Sequence, residues 1–257
     1  MYRLSICEGT VLPDLTWEQR VRTISEAGFL VDLWGWDDDV ASAIGADPSV
    51  QISAMPGWAE GSMVHPDGVS AFLEGAHRCL AAAEKLNCRN MALGTGEINR
   101  EGRVVHQISD HPATMWITAY KTLLQMAELA ERHDVTYSVE TLNTKVDHAG
   151  YPLSHIEDTV RLVEQVDSPR IRILFDIYHA QVEEGNVIQG LKDYFDLIGY
   201  IHVADVPGRH EPGTGEINYP KVASTLRELG YQGAIGMEAF PLADDLEAMG
   251  RFREAFA

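Results

Sequence analysis

Eight short apolar runs, rich in β-branched and aromatic residues, recur along this sequence, and each is followed by a stretch whose apolar residues repeat with helical spacing. Such alternation marks βαβ units that feed a parallel sheet. The expected strands are Arg3–Cys7, Leu30–Trp34, Val50–Ala54, Arg89–Leu93, Thr136–Glu140, Arg172–Asp176, Tyr200–Val203 and Ala234–Glu238. The expected helices are Trp17–Ala27, Asp38–Ile44, Gly68–Leu86, Pro112–Arg132, His155–Gln165, Ile188–Phe195, Tyr219–Leu229 and Ala243–Phe256. Thr16 and Ser154 stand at N-cap positions, and Gly28 and Gly230 stand where helices should stop.

Strict alternation through eight units favours a closed (β/α)8 TIM barrel over an open doubly wound sheet, whose first turn is rich in glycine. Here the first strand is followed by Glu8-Gly9-Thr10, which lacks that fingerprint. The length of 257 residues suits one such barrel, and no repeat, linker or low-complexity tract divides it, so a single domain over 1–257 is expected. With 20 Lys+Arg against 39 Asp+Glu the net charge is −19, a field that repels phosphate backbones and anionic lipid. Neither nucleic acid nor membrane is therefore an expected partner, and the apolar runs are far shorter than a bilayer span. Cys7, Cys79 and Cys88 show no paired spacing and read as buried, reduced thiols. Nothing at the N-terminus resembles an export signal, so the expected location is cytoplasmic.

Long segments follow four of the strands, at Pro56–Asp67, Gly94–His111, Thr141–Pro152 and Pro207–Ile217, and would lie on the C-terminal face where barrel active sites are built. Strands five to eight each finish with a potential metal ligand: Glu140, Asp176, His202 and Glu238. Consecutive barrel strands aim such residues at one point above the axis. Three carboxylates meeting there would repel one another unless a divalent ion neutralised most of their charge. An oxygen-rich set with one imidazole suits Mn2+ or Mg2+, with Co2+ possible, and fits poorly to a closed structural zinc site. Singly, each residue has a blander reading as a helix cap, a loop anchor or a satisfied core histidine; it is their joint placement that points to a metal.

The stretches Asp176-Ile-Tyr-His-Ala-Gln, His202-Val-Ala-Asp-Val-Pro-Gly-Arg209 and Glu211-Pro-Gly-Thr-Gly-Glu-Ile-Asn-Tyr219 resemble those of the hydroxypyruvate isomerase family, within the xylose-isomerase-like barrels. The resemblance spans nearly the whole chain and is tightest from Ser138 to Glu238. It implies that Glu140 and Glu238 act both as metal ligands and as an acid/base pair, with Asp176 and His202 completing the metal site, and that the protein is a homo-oligomer. Ketose 3-epimerases of the same superfamily are similar at these positions. Two departures bear on substrate. Family members acting on hydroxypyruvate carry Tyr-Lys-Pro after the last glutamate, where this chain has Ala239-Phe240-Pro241, and they often carry Gln where it has His202. The expected substrate is accordingly a small sugar or keto acid, not necessarily hydroxypyruvate.

A carboxylate beside a metal-bound carbonyl can remove the proton on the neighbouring carbon. Returning it to the adjacent carbon isomerises, and returning it to the opposite face of the same carbon epimerises. The expected activity is thus a metal-dependent aldose–ketose-type isomerase. The alternatives are a ketose 3-epimerase, a lyase acting on a 3-keto sugar and a non-catalytic sugar-binding module. Apurinic endonucleases share the barrel but need more ligands and a basic groove. His179 is a candidate for a substrate oxygen or for packing on Tyr178. Arg209 is a candidate for a hydroxyl or carboxylate or for pairing with Glu211. Trp34, Trp36 and Trp58 are candidates for the pocket wall or for ordinary packing.

Overall fold

A parallel strand buried on both faces needs β-branched and apolar residues, and the runs named above supply them. In the computed structural model, which describes residues 2–99, 101–105 and 110–257, they become β1 (Arg3–Cys7), β2 (Leu30–Asp32), β3 (Ile52–Pro56), β4 (Asn90–Gly94), β5 (Thr136–Glu140), β6 (Ile171–Asp176), β7 (Ile198–Val203) and β8 (Ala234–Met237). All pair in parallel and in sequence order, and β8 returns to β1 through Arg3 opposite Ala234 and Ile6 opposite Met237. The (β/α)8 barrel expected from the alternation is the fold observed.

The helices are α1 (Trp17–Glu26), α2 (Ala41–Ala46), α3 (Val69–Leu86), α4 (Pro112–His133), α5 (Ile156–Val166), α6 (Ile177–Glu183), α7 (Val187–Asp193), α8 (Tyr219–Leu229) and α9 (Asp245–Ala255). Thr16 caps α1 in a capping box: its hydroxyl accepts from the Gln19 N–H at 3.3 Å, and the Gln19 side chain accepts from the Thr16 N–H at 3.0 Å. Gly28 lies just beyond α1 and Gly230 caps α8, both with positive φ. On α5 the buried residues Ile156, Thr159, Val160, Val163 and Val166 follow the i, i+3, i+4 spacing of one face, turned toward the strands.

Three expectations need correction. Ser154 does not cap α5; His155 holds the N-cap position without a side-chain bond, and the Ser154 hydroxyl instead donates to Glu183. The helix expected over Ile188–Phe195 is α7, shifted by a residue or two, and a separate short helix, α6, precedes it. Asp176 nucleates α6 by accepting the His179 N–H at 3.0 Å. Finally, α2 starts at Ala41 and not at Asp38, because the carbonyl and carboxylate of Asp37 hold residues 38–40 in turns. In the β4–α4 segment, predicted as a long loop, residues 100 and 106–109 lie outside the described residues.

Most of the core lies between strands and helices, from Ile6, Val31, Met55 and Met91 around to Ile201 and Ile235. A second, smaller cluster of Ala54, Leu174, Tyr200 and Ala234 fills the barrel interior. Beside it run hydrogen-bonded hydroxyls, Ser5 to Ser53 at 2.6 Å and Ser53 to Tyr200 at 2.8 Å. Side chains two apart on a strand share a face. Leu174 and Tyr200 therefore put Asp176 and His202 one layer higher on the same inner wall, and Ser138 and Gly236 do the same for Glu140 and Glu238. All three cysteines are buried and free. Among the described residues no helix is long and apolar enough to cross a membrane.

Candidate functional site

Four strand ends converge at the C-terminal mouth. Asp176 and His202 are direct register partners across β6 and β7, Glu140 ends β5, and Glu238 follows β8 with its N–H bonded to the Val203 carbonyl at 3.1 Å. One ligand atom from each of Glu140, Asp176, His202 and Glu238 lies within 4.8 Å of the others, and all four residues are buried or nearly so. From His202 Nδ1 the distances are 3.1 Å to Glu140, 3.7 Å to Glu238 and 4.0 Å to Asp176. This is the grouping expected from the sequence.

The sequence reading missed Asp32. It ends β2, is buried, and its Oδ2 accepts a hydrogen bond from His202 Nε2 at 2.8 Å. A carboxylate only accepts, so Nε2 carries a proton, and Nδ1 is the nitrogen that faces the three acidic side chains, where a proton or a cation can sit between it and Glu140. Such a carboxylate–histidine pair is how proteins orient an imidazole toward a cation. The pair has room because residue 236 is glycine: a Cβ there would stand 2.7 Å from Asp32 Oδ2 and 3.0 Å from the His202 ring.

Glu238 is fixed from two sides. Trp34 Nε1 and Arg209 each donate to it at 2.5 Å, one to either oxygen. Arg209 adopts a positive φ of 57° and lies over the Tyr178 ring, 5.3 Å from its centroid. The expected alternative of Arg209 pairing with Glu211 is not observed; Glu211 instead accepts the Leu242 N–H and lies near Arg251. His179 sits on α6, edge-on to Tyr178 at 5.2 Å. Its Nδ1 accepts the Asn143 N–H at 3.2 Å, and its buried Nε2, 3.9 Å from Asp176, has no hydrogen-bond partner among the described residues. Trp34 is 46% exposed beside Phe240, 6.0 Å between ring centroids. Trp58 covers Gly94, the register partner of Glu140, and stacks on Phe72. Both tryptophans thus flank the cluster. Trp36 packs partly buried against the main core.

Burial pushes the Glu140 carboxyl up to about 7; contact with His202 opposes the shift, and Glu238 and Asp176 reinforce it. Burial likewise raises Asp176. For Glu238 burial acts upward too, but Arg209, His202 and Trp34 outweigh it and hold its pKa below the ordinary value. For His202 burial acts downward, yet Asp32 and Glu238 prevail and the imidazole is raised well above its usual range. The cluster therefore attracts positive charge strongly. A divalent cation would satisfy the same lone pairs, and three carboxylates with one correctly turned imidazole fit such an ion.

The family model described as xylose isomerase-like TIM barrel matches residues 33–255. The chain belongs to that family. A hydroxypyruvate isomerase of Escherichia coli is 32% identical over 190 residues, 74% of this chain and 66% of that one. A 2-oxo-tetronate isomerase of Cupriavidus necator is 38% identical over 133 residues, 52% of this chain and 51% of that one. A crystal structure from Brucella melitensis, described as an AP endonuclease of family 2, superposes with a TM-score of 0.89 at 24% identity and covers 99% of both chains. That last likeness concerns fold alone.

Proposed function

We propose that the protein is a metal-dependent isomerase of small hydroxylated aldehydes and ketones, with Glu140 and Glu238 as its acid/base pair. The observation that carries this reading is the convergence of Glu140, Asp176, His202 and Glu238 within 4.8 Å at the barrel mouth. The relatives named as isomerases of hydroxypyruvate and 2-oxo-tetronate support it. In this proposal the four residues hold Mn2+ or Mg2+, with Co2+ as a substitute. When bound, the cation supplies charge stabilisation to substrate oxygens as they become anionic.

The remaining work falls to the side chains. Glu140 and Glu238 reach the same imidazole nitrogen from β5 and from the end of β8. A substrate carbon between them meets one carboxylate able to take its proton and another able to return one. Arg209 and Trp34 hold Glu238 in a fixed orientation, while His179 Nε2–H is available to a substrate oxygen. Trp34 and Trp58 flank the site with apolar surface and help to exclude water. Three buried, unpaired thiols accord with a reducing compartment such as the cytoplasm.

A second reading, ketose 3-epimerase, is favoured by the approach of two glutamates from different strand ends, β5 and β8, since epimerisation needs two acid/base groups at one carbon. One experiment separates the readings. The Mn2+-loaded protein is incubated in D2O with hydroxypyruvate, tetruloses and hexuloses, and deuterium is located by NMR. Label with an aldose–ketose product between C1 and C2 is expected for the isomerase. Inversion at C3 would replace it with the epimerase, exchange accompanied by bond cleavage would replace it with a lyase acting on a 3-keto sugar, and no exchange with any compound would refute the proposal.

A further inference from the structure

Beside the cluster lies a second histidine that the proposed chemistry does not use. His148, in the β5–α5 loop, is 4% exposed, and its ring centroid is 5.3 Å from that of His179. Its Nδ1 lies 2.6 Å from the carbonyl oxygen of Gly102. A carbonyl only accepts, so Nδ1 carries the proton and Nε2 is a bare acceptor. Among the described residues that Nε2 is buried with no partner. His179 is the mirror case: Asn143 donates to its Nδ1, so the proton is on Nε2, which is also buried and unpartnered.

Both states are locked by backbone. The Gly102 carbonyl is presented by a tight turn in which the Asn99 side chain accepts the Glu101 and Arg103 N–H groups at 3.0 and 2.9 Å. Gly102 has φ +74°, and a Cβ there would stand 3.2 Å from the His148 ring. Asn143 ties the two histidines together, since its N–H serves His179 and its carbonyl accepts the His148 N–H at 3.1 Å. Burial also holds the His148 pKa below its ordinary value, which keeps the imidazole neutral.

An unpaired donor and an unpaired acceptor on neighbouring rings are complementary to a hydroxyl, which accepts through a lone pair and donates through its hydrogen. A carboxylate or phosphate oxygen would satisfy His179 and leave the His148 lone pair facing negative charge. We infer that His148 and His179 together receive a hydroxyl group of the substrate, with His148 as its acceptor, a group that a polyhydroxylated ketose supplies. This deepens the proposed function and rests on the same site.

The test is calorimetric binding of D-erythrulose, D-xylulose and D-fructose to the Mn2+-loaded protein, followed by the single-deoxy analogues of the tightest binder. In the wild type one deoxy analogue should lose about 10-fold or more in affinity. In His148→Phe that penalty should vanish while the parent ketose weakens to the level of the deoxy compound, and His148→Gln, which keeps an acceptor, should restore part of it. A deoxy penalty unchanged in His148→Phe, a uniform loss for every analogue, or no ketose binding at all would overturn the inference. The D2O exchange measurement fails independently. Binding with the expected deoxy pattern but without exchange would sink the isomerase, whereas exchange without any dependence on His148 would sink only the hydroxyl assignment.

Discussion

Replacing Asp32 tests whether the imidazole of His202 is aimed by the carboxylate behind it. The 2.8 Å hydrogen bond joins two buried groups, and its acceptor is charged. Bonds of that kind contribute about 1.5–3 kcal/mol, against about 0.5–1.5 kcal/mol for a neutral pair. Asp32→Asn keeps an acceptor of the same shape and loses only the charge, a difference of about 1–1.5 kcal/mol, or roughly tenfold in affinity for Mn2+. Asp32→Ala removes the acceptor, leaves Nε2–H buried and unpaired, and frees the ring to turn; the loss should lie between about 10- and 100-fold, the usual range for a group supporting a metal ligand. Isothermal titration of Mn2+ into each variant measures both steps, and circular dichroism confirms that the barrel is intact. A folded Asp32→Ala protein that binds Mn2+ within twofold of the wild type would show that the His202 orientation does not depend on Asp32.

Glu140→Gln should abolish deuterium exchange while leaving the thermal unfolding of the metal-free protein within about 2 °C of wild type; substantial residual exchange would remove Glu140 from the acid/base role. Gly236→Ala should weaken Mn2+ binding as Asp32→Ala does, because its methyl meets Asp32 and His202; unchanged affinity would mean that the contact relaxes freely. Arg20→Ala should destabilise by about 3 kcal/mol at pH 8, since it leaves the buried Glu8 carboxylate unpaired. Burial raises the folded-state pKa of Glu8, so protonation favours the fold, and that contribution is lost as pH rises from the unfolded value through the folded one. The Arg20→Ala penalty should accordingly shrink as urea titrations are taken down toward pH 5, and a pH-independent penalty would contradict the assignment. Chelation of bound Mn2+, at a concentration one hundred times Kd, should cost about 2.7 kcal/mol, or about 5–10 °C in Tm.

What could be read in the sequence follows from period and position. β1 and β5 run over the expected residues, and the inner-face alternation of strands five to eight carried Glu140, Asp176, His202 and Glu238 to one layer. Asp32 escaped because Leu-Val-Asp-Leu-Trp reads as one continuous strand; the strand stops at Asp32, and only the closed sheet shows that this puts its carboxylate beside a histidine 170 positions away. His148 escaped for a similar reason. It lies in a loop, where no periodicity predicts direction, and its proton is placed by a carbonyl from another loop. α6 was hidden because Asp176 does two jobs, facing the cluster with one oxygen and capping a helix with the other. Arg209 had an acidic neighbour in sequence, Glu211, but a left-handed backbone turns it toward Glu238.

The seam between β1 and β8 carries a further consequence. Glu238 directly follows the barrel's eighth strand, and its two hydrogen-bond donors come from distant parts of the barrel, Trp34 just after β2 and Arg209 after β7. Until that strand docks on Arg3–Ile6, a nascent chain presents two open sheet edges and a cluster short of one carboxylate. If the cluster holds a cation as proposed, binding at full strength would report ring closure, and a fragment released before residue 238 would combine weak metal retention with a tendency to pair edge to edge.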